Sequence, residues 1–105
     1  MELVETPVFS RQVAAELSAD EYRLLQLHLI EHPEAGAVIP GSGGLRKIRW
    51  RIPGRGKRGG ARVIYFWTVG TDRLYLLFLY PKNERSDLTR AQLRTLRQLI
   101  DSDRV

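Results

Sequence analysis

Three cationic side chains recur at every second position near the middle of the chain. They are Lys47, Arg49 and Arg51, and they alternate with the apolar residues Ile48 and Trp50. Such alternation predicts a β-strand, in which residues two apart share a face and lie about 6.6 Å from each other. That distance is close to the phosphate repeat of an extended single-stranded nucleic acid. A solvated strand face is the alternative, but such faces usually mix both signs of charge, so the pattern favours binding of a polyanion.

The excess positive charge of the protein is confined to the segment around this row. Residues 46–62 hold eight basic side chains and no acidic one, whereas the other 88 residues hold nine basic and twelve acidic side chains. A cationic patch on an otherwise neutral-to-acidic protein favours an anionic polymer as partner. The alternative is a solvent-exposed basic loop without a binding role. The further members of the segment that we predict to bind this polymer are Arg46, Arg55, Lys57 and Arg58.

Arg62 begins a strand that is otherwise apolar and follows the pair Gly59 and Gly60. Arginine rarely lies at the edge of a core without a partner. One interpretation is an ion pair with Glu84 or Asp87. The other is a guanidinium held rigidly to stabilise a pentavalent phosphate, whose developing charge favours a fixed fork of hydrogen-bond donors.

Lys82, Asn83 and Glu84 follow the last predicted strand. Loops carried by a rigid scaffold often bind ligands, and a polar turn is the alternative. His28 and His32 lie on a predicted helix away from the basic segment, where a structural or solvated role is expected. We find neither paired carboxylates nor a Cys/His cluster for a metal, and no P-loop or nucleophile elbow. Cleavage of a nucleic acid would then need attack by the ribose 2′-hydroxyl, which restricts the substrate to RNA.

The composition limits the class of protein. The 105 residues are enough for one domain, which we assign to residues 1–105, with one hydrophobic core. Without cysteine, the chain has no disulfide framework or thiolate metal site. The longest apolar stretch, Leu74 to Tyr80, is too short to span a bilayer, and the acidic N-terminus lacks a secretory pattern. We therefore expect a cytoplasmic protein without a cofactor.

Capping signals predict three helices. Thr6 followed by Pro7 begins a helix that extends to about Glu16. The segments Ser18–Glu21 and Thr89–Gln92 have the spacing of capping boxes. The helix that the first box begins should end before Pro33, and the helix that the second begins should end near Asp101.

The strands are predicted from apolar runs and from alternation. They cover residues 46–52, 62–69 and 74–80, with a possible short strand at residues 2–5 and a tight turn at residues 70–72. The fold class is therefore α+β: a small antiparallel sheet with an N-terminal helical hairpin and a C-terminal helix, packed mostly on one face.

Three segments resemble the RelE-like toxins of bacterial toxin–antitoxin modules, and they are most similar to the HigB branch of the RelE/ParE superfamily. They are GSGGLRKIRW at residues 41–50, GRGKRGGARVIY at residues 54–65 and YPKNERSDLT at residues 80–89. The helical hairpin and the capped last helix also fit, so the resemblance covers almost the whole chain.

The resemblance implies a microbial-ribonuclease-like fold and a ribosome-dependent endoribonuclease. Such toxins cut messenger RNA in the ribosomal A site without a metal and leave 2′,3′-cyclic phosphate and 5′-OH ends, so translation stops. A cognate antitoxin, usually with a helix-turn-helix domain in HigB-type pairs, neutralises the toxin and carries it to operator DNA.

The resemblance also assigns residues. Arg62 matches the strand arginine that supports the transition state, and Lys82 matches a basic residue after the last strand. The row of three cations matches the strand that grips the RNA backbone and contributes to catalysis, and Asn83 is expected to bind RNA.

The chain departs from RelE at three positions. Arg49 replaces the lysine proposed as general base, although arginine is effectively never deprotonated. Asn83 replaces an arginine, and Thr89 replaces a catalytic tyrosine. The proton carriers are then among Lys47, Lys57, Lys82 and Glu84.

Two alternatives follow from these departures. The first is a ParE-like toxin of related fold that inhibits DNA gyrase and has no nuclease activity; such toxins generally lack the cationic constellation. The second is an RNA-binding relative that has lost activity.

Overall fold

The computed structural model describes residues 1–51, 60–84 and 87–102. The elements are, in chain order, β1 (Glu2–Glu5), α1 (Pro7–Glu16), α2 (Ala19–Glu31), β2 (Ala37–Val38), β3 (Arg46–Arg51), β4 (Gly60–Thr68), β5 (Arg73–Pro81) and α3 (Arg90–Asp101). This order confirms the predicted one and adds the two-residue strand β2, which is too short to show a periodic pattern.

The helix starts agree with the capping signals. The hydroxyl of Thr6 accepts a hydrogen bond from the Phe9 amide at 3.0 Å. Ser18 and Thr89 each form a complete capping box with the residue three positions later. The Thr6 hydroxyl also donates to the Leu77 carbonyl at 2.8 Å, which ties the start of α1 to β5. None of the helices in the described ranges is long and apolar enough to cross a bilayer.

The strands form one sheet in the order β1-β5-β4-β3-β2. All neighbouring pairs are antiparallel except β1 and β5, which run parallel with Glu2 opposite Arg73. The prediction of an antiparallel sheet is therefore corrected for one edge. The reason is that β1 pairs with the last strand of the chain, and no local sequence pattern predicts the partner or the direction of that pairing.

The helices cover both faces of the sheet, which corrects the prediction that they lie mostly on one face. The hairpin of α1 and α2 packs its buried residues against Ile48, Val63 and Leu76. On the opposite face, Leu93 and Leu96 of α3 pack against Ile64 and its neighbours. Because β4 and β5 are buried on both sides, they are apolar at almost every position, as is typical of strands in the middle of a layered fold.

Candidate nucleic-acid interface and active site

The alternation of β3 separates its cations from its core residues. Ile48 is 7% exposed and packs against the helical hairpin, where Trp50 joins the same cluster. Successive side chains on a strand point to opposite faces, so Lys47, Arg49 and Arg51 lie on the face that carries α3. This confirms the division of β3 into an apolar side and a cationic side.

Arg49 lies directly opposite Arg62 on the neighbouring strand. Side chains opposed in this way on an antiparallel pair have Cβ atoms about 5 Å apart, and like charges at this distance destabilise the sheet. Both arginines also lie close enough to Asp87 for their charges to lower the pKa of its carboxyl group. An anion between the two guanidinium groups would relieve the repulsion.

A depression of about 280 Å³ opens over this pair. Its cationic side chains are Arg49, Arg51, Arg62 and Lys82. Lys82 is held there by the backbone, because its amide donates to the Gly60 carbonyl at 3.0 Å. A Cβ atom on Gly60 would lie 3.5 Å from Cδ of Lys82, so the lysine stem packs over this glycine. Nε of Arg62 is buried, which restricts the direction of its guanidinium.

Lys47 lies farther along the same face and pairs with Asp87, which precedes α3. Its Nζ atom is 2.5 Å from Oδ1 of Asp87, and the two side chains are 22% and 67% exposed. The hydrogen bond and charge of Lys47 lower the pKa of Asp87, and the charges of Arg62 and Arg49 lower it further. Asp87 was one of the two acidic partners considered for Arg62, and the structure shows Lys47 as its direct partner.

Arg46 points to the opposite face of the sheet. Its guanidinium donates to the carbonyls of Gly36, at 2.8 Å, and Glu34, at 3.2 Å. Beside it, the Tyr65 hydroxyl donates to the Pro33 carbonyl at 2.7 Å and accepts from the Gly36 amide at 2.8 Å. Burial raises the pKa of Tyr65. Arg46 thus holds the segment that follows α2 and lies apart from the other predicted RNA-binding cations.

The remaining predicted residues lie around or beyond the depression. Glu84 lines a different concavity, beside Arg11 and Glu16 of α1. Asn83 is exposed in the turn that follows β5. Arg55, Lys57 and Arg58 lie outside the described residues.

The arrangement suits the binding of a phosphodiester. Guanidinium groups bind phosphate oxygens with paired, charge-assisted hydrogen bonds, and the same donors stabilise charge that develops on the phosphate. Among the described cations that line the depression, Lys82 is the one lysine, and the other three are arginines, which are effectively never deprotonated. In the part of the chain that the structure describes, no group of three His, Cys, Asp or Glu side chains is placed to hold a metal ion.

Comparison with known proteins identifies the family. A model described as the RelE toxin of the RelE / RelB toxin–antitoxin system matches residues 6–102. The chain belongs to this RelE toxin family. Its fold is similar to that of a double arginine-to-alanine mutant of the E. coli toxin RelE, solved in the free state, with a TM-score of 0.61 and 15% identity. That match covers 91% of this chain and 95% of the E. coli chain.

Membership of the RelE family gives the protein a place in a toxin–antitoxin system, and it implies a cognate antitoxin as partner. The closer similarity to the HigB branch stays a prediction. Thr89 caps α3: its hydroxyl accepts from the Gln92 amide at 3.1 Å.

Sequence analysis missed a second group of cations on this RelE toxin. Arg90, Arg94 and Arg97 line a concavity of about 500 Å³ between α3 and the loop at residues 40–43. The signal was available, because residues four and seven positions apart share one face of the predicted last helix.

Proposed function

We propose that this RelE-family toxin is an endoribonuclease that cuts messenger RNA on the ribosome and so inhibits translation. The observation that carries the proposal is the pairing of Arg49 with Arg62 across two strands, within one depression that also holds Arg51 and Lys82. Among the described residues, these four cations lie close together, and closely spaced cations favour a ligand with closely spaced negative charges. A ribose–phosphate chain is such a ligand.

The reaction follows from the chemistry of RNA. The 2′-hydroxyl releases its proton to solvent water as its oxygen attacks the adjacent phosphorus, the bond from phosphorus to the 5′-oxygen breaks, and the products carry a 2′,3′-cyclic phosphate and a 5′-hydroxyl. Arg62 and Arg49 stabilise the charge that develops on the phosphate oxygens. Lys82 in its protonated form is the residue that we assign to protonating the leaving 5′-oxygen. Because the toxin acts on translating ribosomes, we place the activity in the cytoplasm, under control of an antitoxin that we expect to carry a helix-turn-helix domain.

The test is the variant Arg62→Ala, expressed in growing cells. We expect messenger RNA cleavage within translated codons to fall by about 10²- to 10³-fold, the usual effect of removing one preorganised transition-state donor. Primer extension on cellular messenger RNA measures it. The matched control is Arg23→Ala, which removes an exposed arginine from α2 and should cleave like the wild type.

Two outcomes would contradict the proposal. A folded Arg62→Ala protein with undiminished cleavage would remove the assignment of Arg62. If DNA replication stopped before translation after induction of the wild type, inhibition of gyrase would be the better interpretation.

A further inference from the structure

The arginine face of α3, which we define as Arg90, Arg94 and Arg97, has no role in the depression around Arg62. We propose that it is a second binding surface for the phosphate backbone of RNA, separate from the site of cleavage. The inference depends on the proposed function only in that RNA is the ligand; it does not require that the RNA be cut.

Two members of the arginine face, Arg90 and Arg94, do not stabilise the helix that carries them. Arg90 is the first residue of α3, and the first turn contains no acidic residue. Cations near a helix N-terminus interact unfavourably with the helix dipole, and like charges four residues apart, as at Arg90 and Arg94, repel each other. The placement of these two arginines therefore needs another explanation.

Arg97 fixes one end of the face. Its Nε atom donates to the Gly43 carbonyl at 3.0 Å, and its guanidinium lies 4.6 Å from the centroid of the Phe66 ring. Asp101 holds the same guanidinium at 2.7 Å. These contacts anchor the loop at residues 40–43 against α3, so the concavity between them is a built feature of the fold.

The lining of this concavity favours a phosphate backbone over a peptide. Apart from the three arginines, its walls are Pro40, Gly41, Ser42 and Gly43. Ser42 is 6% exposed, and a Cβ atom on Gly41 would meet nothing within 4 Å. A peptide partner gains most of its affinity by inserting large apolar anchors into pockets, and Pro40 is the one apolar side chain among the described residues of this lining. Cations and open backbone are what phosphate contacts require.

The surface is continuous with the proposed site of cleavage. Pro40 also lines the neighbouring groove, of about 470 Å³, which contains Lys47 and Asp87. Lys47 in turn belongs to the same strand face as Arg49. Pro40 thus lies between the groove that holds Lys47 and the arginine face, and an RNA that reached both would pass over this residue.

The experiment compares two double variants that remove the same charge. Arg90→Gln with Arg94→Gln alters the arginine face, and Arg11→Gln with Arg23→Gln alters exposed positions on the helical hairpin. Both are made in the Arg62→Ala protein, so that the RNA stays intact. The probes are a fluorescein-labelled single-stranded RNA and a labelled RNA hairpin, each titrated at several salt concentrations and followed by fluorescence anisotropy.

We expect the first pair to lower the slope of log affinity against log salt by about 1.4, since each phosphate contact to a single strand contributes about 0.7. The control pair, Arg11→Gln with Arg23→Gln, should leave this slope unchanged. Arg90→Lys with Arg94→Lys keeps the charge and should restore binding, which separates a loss of contact from a loss of structure. The effect on the two probes shows which form of RNA the surface prefers.

Equal slopes for the two Gln pairs would overturn the proposal. Unchanged RNA binding together with weaker binding of the antitoxin would also overturn it, because the surface would then serve a protein partner. Neither result depends on whether the wild type cleaves RNA, so the failure of this inference and the failure of the nuclease assignment are distinguishable.

Discussion

At the scale of single residues, the candidate site combines two like charges on neighbouring strands with a nearby carboxylate. Arg49 and Arg62 oppose each other on paired strands, and Asp87 is the acidic group that sits beside them. The pKa of Asp87 is lowered first by its hydrogen bond to Lys47 and then by the surrounding charges. In the absence of RNA, the Asp87 carboxylate therefore interacts with the same cations that would bind a phosphate.

Replacing Asp87 tests this competition. In Asp87→Asn we expect RNA to bind several-fold more tightly at low salt, because the phosphate no longer competes with a fixed carboxylate for Lys47. Anisotropy with labelled RNA in the Arg62→Ala protein measures the affinity. Asp20→Asn, at an exposed position on α2, is the control for net charge. Equal tightening in both variants would show a general charge effect and would contradict the competition.

The same ion pair has a defined pH dependence. Because the folded protein lowers the pKa of Asp87 from the ordinary 3.8, the contribution of the pair to stability is present above that value and is lost as the pH falls through the lowered one. Asp87→Asn should therefore remove part of the loss of stability on acidification. Urea unfolding of both proteins at a series of acidic pH values measures it, and identical pH profiles would exclude the effect.

At the scale of elements, local capping signals predicted where the helices begin, whereas the arrangement of the strands depends on long-range pairing. Thr6, Ser18 and Thr89 each begin a helix where their side chains predict it, since capping depends on residues three positions apart. The parallel partnership of β1 with β5 and the two-residue strand β2 depend on contacts far apart in the chain. Arg46 was grouped with the RNA-binding cations, although strand parity puts it on the other face from Lys47 and Arg49. Its carbonyl partners, Glu34 and Gly36, depend on contacts that no local pattern predicts.

Thr89 allows a test at this scale, because its side chain caps α3 and forms a capping box with Gln92. Thr89→Ala should lower the free energy of unfolding by about 1 kcal/mol, the usual effect of losing an N-cap. Thr89→Ser keeps the hydroxyl and should retain most of the stability. Urea denaturation measures both variants. Equal stability of the Ala and Ser variants would show that the capping box contributes little.

At the scale of the whole molecule, the sheet divides the protein into two sides with different tasks. The hairpin of α1 and α2 covers one side and leaves no cation of the β3 row there, whereas the side of α3 carries that row, Arg62 and the arginine face. The concentration of charge in residues 46–62 was visible in the sequence. The helical spacing of Arg90, Arg94 and Arg97 was visible too, but these arginines were not grouped because apolar residues that face the core lie between them.

This division predicts a steep dependence of RNA binding on salt. If Lys47, Arg49, Arg51, Arg62, Lys82, Arg90 and Arg94 each neutralise one phosphate of a single strand, the slope of log affinity against log salt should be about −4.9. Titration of the wild type with a non-cleavable RNA at several salt concentrations measures it. An affinity that does not change with salt would argue against a phosphate-binding surface on this side of the sheet.

The register of β3 ties catalysis to folding. Its odd-numbered positions bear charge while Ile48 fills the core, and β4 holds it in line from Arg46 to Arg51. Sliding this strand by one residue would drive three cations into the apolar interior and expel Ile48 into water, so the misaligned state is penalised twice. Substitutions that weaken the register of β3 against β4 would therefore unfold the toxin before they produced a stable protein with a displaced site.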